Sequence, residues 1–97
     1  MITYKTVLYL KAQRELSKSY EWYEKQKSGL GEKFINQVKL DFQVIAKNPK
    51  HYPNKASKYR EFVMKNYPYL IIYEIDEVNN EILIASIFHE KRNPKLK

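Results

Sequence analysis

Ninety-seven residues carry eighteen Lys and Arg against eleven Asp and Glu, a formal net charge of +7, with 43% hydrophobic residues, 14% aromatics and no cysteine. One core suffices at this length, so a single domain over residues 1–97 is expected, and the lack of cysteine excludes disulfides and thiolate metal sites. The first ten residues do not read as a signal peptide and no stretch has the roughly 20 apolar residues of a membrane helix, so a soluble cytoplasmic protein is expected, basic enough to favour nucleic acid, ribosomes or an acidic protein.

Ile2, Tyr4, Thr6 and Leu8 alternate, which predicts a first strand. The period then changes: Ala12, Leu16, Tyr20 and Tyr23 form one stripe of a helix over about Leu10–Lys27, with Glu21 and Lys25 paired on its outer side. Trp22 lies off that stripe, at an edge of the core. Ser28-Gly29-Leu30-Gly31 ends this helix and opens another, in which Leu30, Phe34, Val38, Phe42 and Ile45 repeat until Asn48-Pro49 stops it after Lys47. So short a link makes the two helices antiparallel.

Pro49–Ser57 reads as a loop, followed by a strand over Tyr59–Met64. Tyr69–Asp76 and Glu81–His89 are rich in β-branched and aromatic residues and flank Glu77-Val78-Asn79-Asn80, a hairpin pattern because Asn tolerates left-handed turn angles. The order is β-α-α-β-β-β. The expected fold is α+β: a helical hairpin packed on a mainly antiparallel four-stranded sheet, its other face left for a partner or substrate. Leu16, Tyr20, Phe34, Val38, Phe42, Ile45 and most of Ile71–Ile75 and Ile82–Ile87 are the expected core.

Charge is concentrated over Lys47–Lys65, where Lys47, Lys50, Lys55, Lys58, Arg60 and Lys65 meet one acid, Glu61. His89 and Arg92 lie near the end of the last strand. If Arg60, Lys65, His89 and Arg92 converge, they suit RNA cleavage by 2′-hydroxyl attack. His89 would transfer a proton while the arginines hold phosphate. Tyr59, Tyr67, Tyr69 and Tyr73 would then stack on bases, and Lys55, Lys58 and Lys65 would contact RNA or a protein partner. The competing reading is that His89 is structural and that Arg60 and Arg92 are solvated or paired with Glu61 and Glu90. His51 and His89 lack the spacing of a metal site, so neither metal nor cofactor is expected. Gly29-x-Gly31 lies between two helices and is no dinucleotide motif. Glu74 and Asp76 read as solvated carboxylates, and Ser86 as a small packing residue.

An ordered set of motifs spans the chain: Tyr20-x-Trp22-Tyr23-Glu24, Gly29-Leu30-Gly31-x-x-Phe34, Ile45-x-x-Asn48-Pro49-x-x-Tyr52, Arg60, Tyr67-Pro68-Tyr69-x-Ile71-x-Tyr73 and Ile84-x-x-Ile87-x-His89-x-x-Arg92. The set resembles the RelE/ParE toxins of bacterial type II toxin–antitoxin modules. That resemblance implies the same helical hairpin on a sheet, a small acidic antitoxin as partner, and one of two activities. RelE-like members cut mRNA on the ribosome, and His89, Arg60 and Arg92 fall where that family places its basic and C-terminal residues. ParE-like members inhibit DNA gyrase without that set, and Tyr67-Pro68-Tyr69 with the Gly-Leu-Gly link is closer to their pattern. Ribosome-dependent mRNA cleavage is the expectation carried forward, with gyrase inhibition as the alternative, and a degenerate member that only binds antitoxin as a third.

Overall fold

In the computed structural model, which describes residues 3–91, the chain runs β1 (Lys5–Leu8), α1 (Leu10–Gln26), α2 (Leu30–Lys47), β2 (Asn54–Ala56), β3 (Tyr59–Val63), β4 (Tyr69–Asp76) and β5 (Glu81–His89). The two long strands form the expected hairpin, with Asp76 opposite Glu81 and Tyr69 opposite His89. At its turn the Asp76 carboxylate accepts hydrogen bonds from the Asn79 backbone N–H (3.1 Å) and Nδ2 (2.9 Å), and Asn80 takes a φ of 53°. The left-handed angle at Asn80 is the one expected of Asn, while the side chain that closes the turn is Asp76, read from the sequence as a solvated carboxylate. β3 adds antiparallel to β4, Arg60 opposite Tyr73 and Val63 opposite Leu70.

The sheet has five strands in the order β1-β5-β4-β3-β2, one more than the sequence predicts. The extra strand, β2, lies in the expected loop. It spans three residues, Asn54-Lys55-Ala56, with a register shift against β3, and none of the three is β-branched or aromatic, so nothing in the sequence marks it. β1 pairs parallel with β5, which the intervening helices and strands permit as one long crossover.

Both helices cover one face of this sheet. Phe34, Val38 and Ile45 of α2 and Ala12 of α1 are buried with Met64, Tyr69, Ile71, Tyr73, Ile82, Ile84 and Ile87. Leu16 and Phe42 pack on this core while partly exposed. Tyr20 departs from expectation: it is 40% exposed, at the rim beside Gly31, where a Cβ would come within 2.9 Å of its Cδ1. Trp22 is also at the margin, its ring edge-on to Tyr23 at 5.1 Å. No helix among the described residues is long and apolar enough to cross a membrane.

The helical hairpin closes at two glycines. Gly29 adopts a φ of 95°, a left-handed angle costly for other residues. At Gly31 a Cβ would sit 2.6 Å from the Tyr20 carbonyl oxygen and 2.6 Å from Glu24 Cγ. Glu24 Oε1 in turn accepts the N–H groups of Gly29 and Gly31, each at 2.9 Å, which satisfies donors at the start of α2. Gly31→Ala should therefore lower stability more than Gly29→Asn, since Asn tolerates the left-handed angle whereas the Tyr20 backbone cannot step aside; chemical denaturation of the two variants checks the order.

Farther down the hairpin, the Tyr73 hydroxyl donates to the Pro49 carbonyl just past α2. Burial pushes the Tyr73 phenol from 10.0 up to about 12, against the opposing charge of Arg60. Because the folded value is the higher one, its stabilisation is complete below the unfolded value and is lost as pH rises through the folded value. Stability should thus fall between pH 10 and pH 12, and Tyr73→Phe should flatten that part of a melting-temperature profile.

Candidate functional site

Strand alternation sorts the predicted site residues onto two faces. Arg60 and Phe62 of β3, and Met64 just after it, face the helices with Tyr69, Ile71 and Tyr73 of β4, and with Ile87 and His89 of β5. Tyr59, Glu61 and Val63, then Leu70, Ile72 and Glu74, lie on the opposite, helix-free face. The two candidate chemical groups, Arg60 and His89, thus share the helix-side face and not the open one.

They do not converge. Arg60 is opposite Tyr73 and His89 opposite Tyr69. Four residues and two strand spacings separate them, about 16 Å at ordinary sheet dimensions. Arg60 does not pair with Glu61 either: its Nη1 donates to the carbonyls of Tyr52 (2.7 Å) and Lys50 (3.2 Å). A half-buried guanidinium thus pins the segment between α2 and β2 to the sheet. His89 ends β5, half-buried, with its ring edge-on to Tyr69 at 4.9 Å and its Nδ1 accepting from the Lys91 N–H at 3.1 Å. Arg92 lies outside the described residues.

Three of the four tyrosines expected to stack on bases are core residues instead. Tyr69 is 1% exposed against Phe34, and Tyr73 is fully buried. Tyr67 packs edge-on to Tyr23 and Phe34. Tyr69 and Tyr73 lie on one side of β4, which faces the helices, and Tyr67 joins their aromatic cluster from the turn before it, so the two buried rings offer no platform for a base. Tyr59, half-buried like Tyr67, has Lys58 Nζ 5.6 Å from its ring centre.

The lysines split between the two ends of the sheet. Lys50 pairs with Glu77 at 2.8 Å, and Lys58 lies 3.5 Å from Glu74. Glu74 is not the solvated carboxylate expected: its side chain is 12% exposed and it also accepts from the Tyr9 hydroxyl, which crosses from the end of β1. That hydrogen bond raises the Tyr9 phenol above its ordinary value. Lys65 is exposed at the far end, in the turn before Tyr69. Lys55 borders a groove of about 460 Å³ with Tyr52, Phe62, Val63 and Leu70, rimmed by Glu61 and Glu90. Among the described residues no group of three or more His, Asp or Glu is placed to hold a metal ion.

Two carboxylates that sequence reasoning passed over also matter. Glu15 of α1 accepts from the Ser86 hydroxyl (2.8 Å) and from the Ile87 N–H (3.0 Å), beyond the point where β1 stops covering β5. Asp41 is buried in α2. A polar residue on an apolar helix stripe was the available sign of the latter.

Residues 7–94 match the model of the ParE toxin of the type II toxin–antitoxin system, parDE. Solved structures share the fold. A chain of the chromosomal ParDE toxin–antitoxin system from P. aeruginosa superposes with a TM-score of 0.78 at 14% identity, covering 92% of this chain and 98% of that one. A chain of the RelBE2 toxin–antitoxin complex from Mycobacterium tuberculosis does so with a TM-score of 0.63 at 16% identity, covering 91% and 99%. No curated protein matches the sequence.

Arg60→Ala should leave two carbonyls at the α2–β2 segment without their donor and lower stability by about 1–3 kcal/mol. Arg60→Lys should recover little of it, since an ammonium cannot reproduce the planar fork. Equilibrium unfolding of both variants measures this.

Proposed function

Because the chain belongs to the ParE toxin family of type II toxin–antitoxin systems, we propose that this toxin acts by binding a protein target and not by cutting RNA. Its target on this reading is DNA gyrase, as the ParE resemblance implies, and a small acidic antitoxin holds it inactive. The observation that carries the reading is the separation of Arg60 from His89. Phosphoryl transfer needs proton donor, proton acceptor and cationic oxygen ligands around one phosphorus. Here the arginine is spent on backbone carbonyls at one end of the sheet while the histidine stands at the other. A binding toxin has no such requirement; it needs a rigid surface with local apolar and charged features, and the basic domain supplies one.

The antitoxin is supported by the named systems of both structural relatives and by the +7 charge, which steers an acidic partner and makes its association rate fall with salt. Cleavage of mRNA is the second reading. It is favoured by the placement of His89 at the same end of the sheet as Lys65, close in sequence to Arg92.

Purified toxin should block supercoiling by DNA gyrase and leave mRNA on ribosomes intact. His89→Gln should remain as toxic in cells as the wild type. A His89→Gln variant whose mRNA cleavage falls by roughly 10²–10⁴ from a measurable wild-type rate, with supercoiling unaffected by either protein, would instead establish the nuclease.

A further inference from the structure

The outer side of α1 carries every cation of that helix in one row. They are Lys11, Arg14, Lys18 and Lys25. At about 100° per residue they fall within a sector of about 60°, roughly 120° round the helix from buried Ala12 and Ser19. All four are exposed, and none is in an ion pair among the described residues. Lys11, Lys18 and Lys25 recur at heptad spacing, so the row runs about 21 Å along the axis.

The acids of α1 do not balance this row, because the fold uses them. Glu15 Oε1 accepts the Ser86 hydroxyl and the Ile87 N–H, and Glu24 Oε1 accepts the N–H groups of Gly29 and Gly31. Glu21 is what remains on the outer side, about 20° beyond Arg14. Apolar side chains near the row are split between its margins. Leu10, 58% exposed, lies on one side and Trp22, 44% exposed, on the other, about 120° and 18 Å apart. A protein partner needs an apolar centre inside a polar rim, and the row has a bare one. It suits a partner whose negative charge is dense and evenly spaced.

We infer that α1 lays this row along the phosphate backbone of the duplex DNA that gyrase holds. The inference rests on the gyrase reading above, since a toxin seated on an enzyme that supercoils DNA meets that duplex. The row spans about six base-pair steps of roughly 3.4 Å. Long Lys and Arg side chains reach phosphates without exact register, so the contact is independent of sequence and draws its affinity from released counterions. It leaves the sheet to the protein target.

The test is fluorescence anisotropy of a short labelled duplex, together with supercoiling by DNA gyrase. With four phosphates neutralised, a threefold rise in salt should weaken duplex binding about 50-fold. Lys18→Gln should lower the slope of log Kd on log salt by about 1, and changing all four cations to Gln should leave little binding. Lys39→Gln, exposed on α2, removes the same charge away from the row and should leave the slope unchanged. The fourfold variant should also need about 10-fold more protein to block supercoiling. Duplex binding or gyrase inhibition undiminished in that variant overturns the inference, with the gyrase reading intact. So does an equal loss in Lys39→Gln, which would make the binding a matter of net charge. Displacement by polyglutamate more readily than by duplex would mark an acidic-protein site, and tighter binding of an RNA hairpin would mark an RNA site; either overturns it as well. If the wild-type toxin leaves supercoiling untouched, the gyrase reading falls, and this inference with it.

Discussion

Everything in the fold above the sheet depends on how closely α1 and α2 approach at Gly31. The absence of a side chain there brings the Tyr20 carbonyl and the Glu24 side chain against the first turn of α2. The Glu24 carboxylate then does two jobs with one oxygen, bonding the N–H groups of Gly29 and Gly31. Negative charge at a helix start is favourable in its own right, so the contact fixes both the spacing and the entry angle of the second helix. With the angle set, Phe34 reaches Tyr23, Tyr67 and Tyr69, with ring centres 5.0, 5.1 and 5.0 Å away. The aromatic cluster is a consequence of the glycine.

A second constraint works from the other end of α2. Arg60 and Tyr73, neighbours across β3 and β4, both bond carbonyls of the Pro49–Tyr52 segment. These are buried or half-buried polar groups with partners, the condition under which such groups specify one arrangement at little cost. Arg60 looks functional in sequence because an arginine in a basic run with a strand after it suits phosphate binding. Its role in the fold is to hold the chain leaving the helix against the sheet, and a residue so used is poorly placed to follow a moving phosphate.

Those cases show what is legible in the sequence. Periodicity places both helices and the long hairpin nearly to the residue, because apolar stripes and an Asn pair that tolerates left-handed angles are local properties. Tyr20 is misjudged because a stripe position says which way a side chain points, while its exposure depends on how far the neighbouring helix extends. β2 is missed because three polar or small residues pair only through backbone geometry. The largest error concerns the tyrosines: Tyr67, Tyr69 and Tyr73 have the composition of a recognition surface, and only strand pairing shows that their side faces the helices. Family membership was legible from motif order along the chain, and the ParE toxin family model matches residues 7–94.

The parallel pairing of β1 with β5 has a kinetic consequence. Lys5 meets Glu81, so the first strand of the chain waits for the last one, which is also the strand between β1 and β4. The helical hairpin rests on near neighbours and can assemble early; the sheet cannot close until residues 81–89 have been made, and contacts so distant along the chain are slow to form. A nascent chain therefore carries its helical hairpin before the strand that joins β1 to β4 exists.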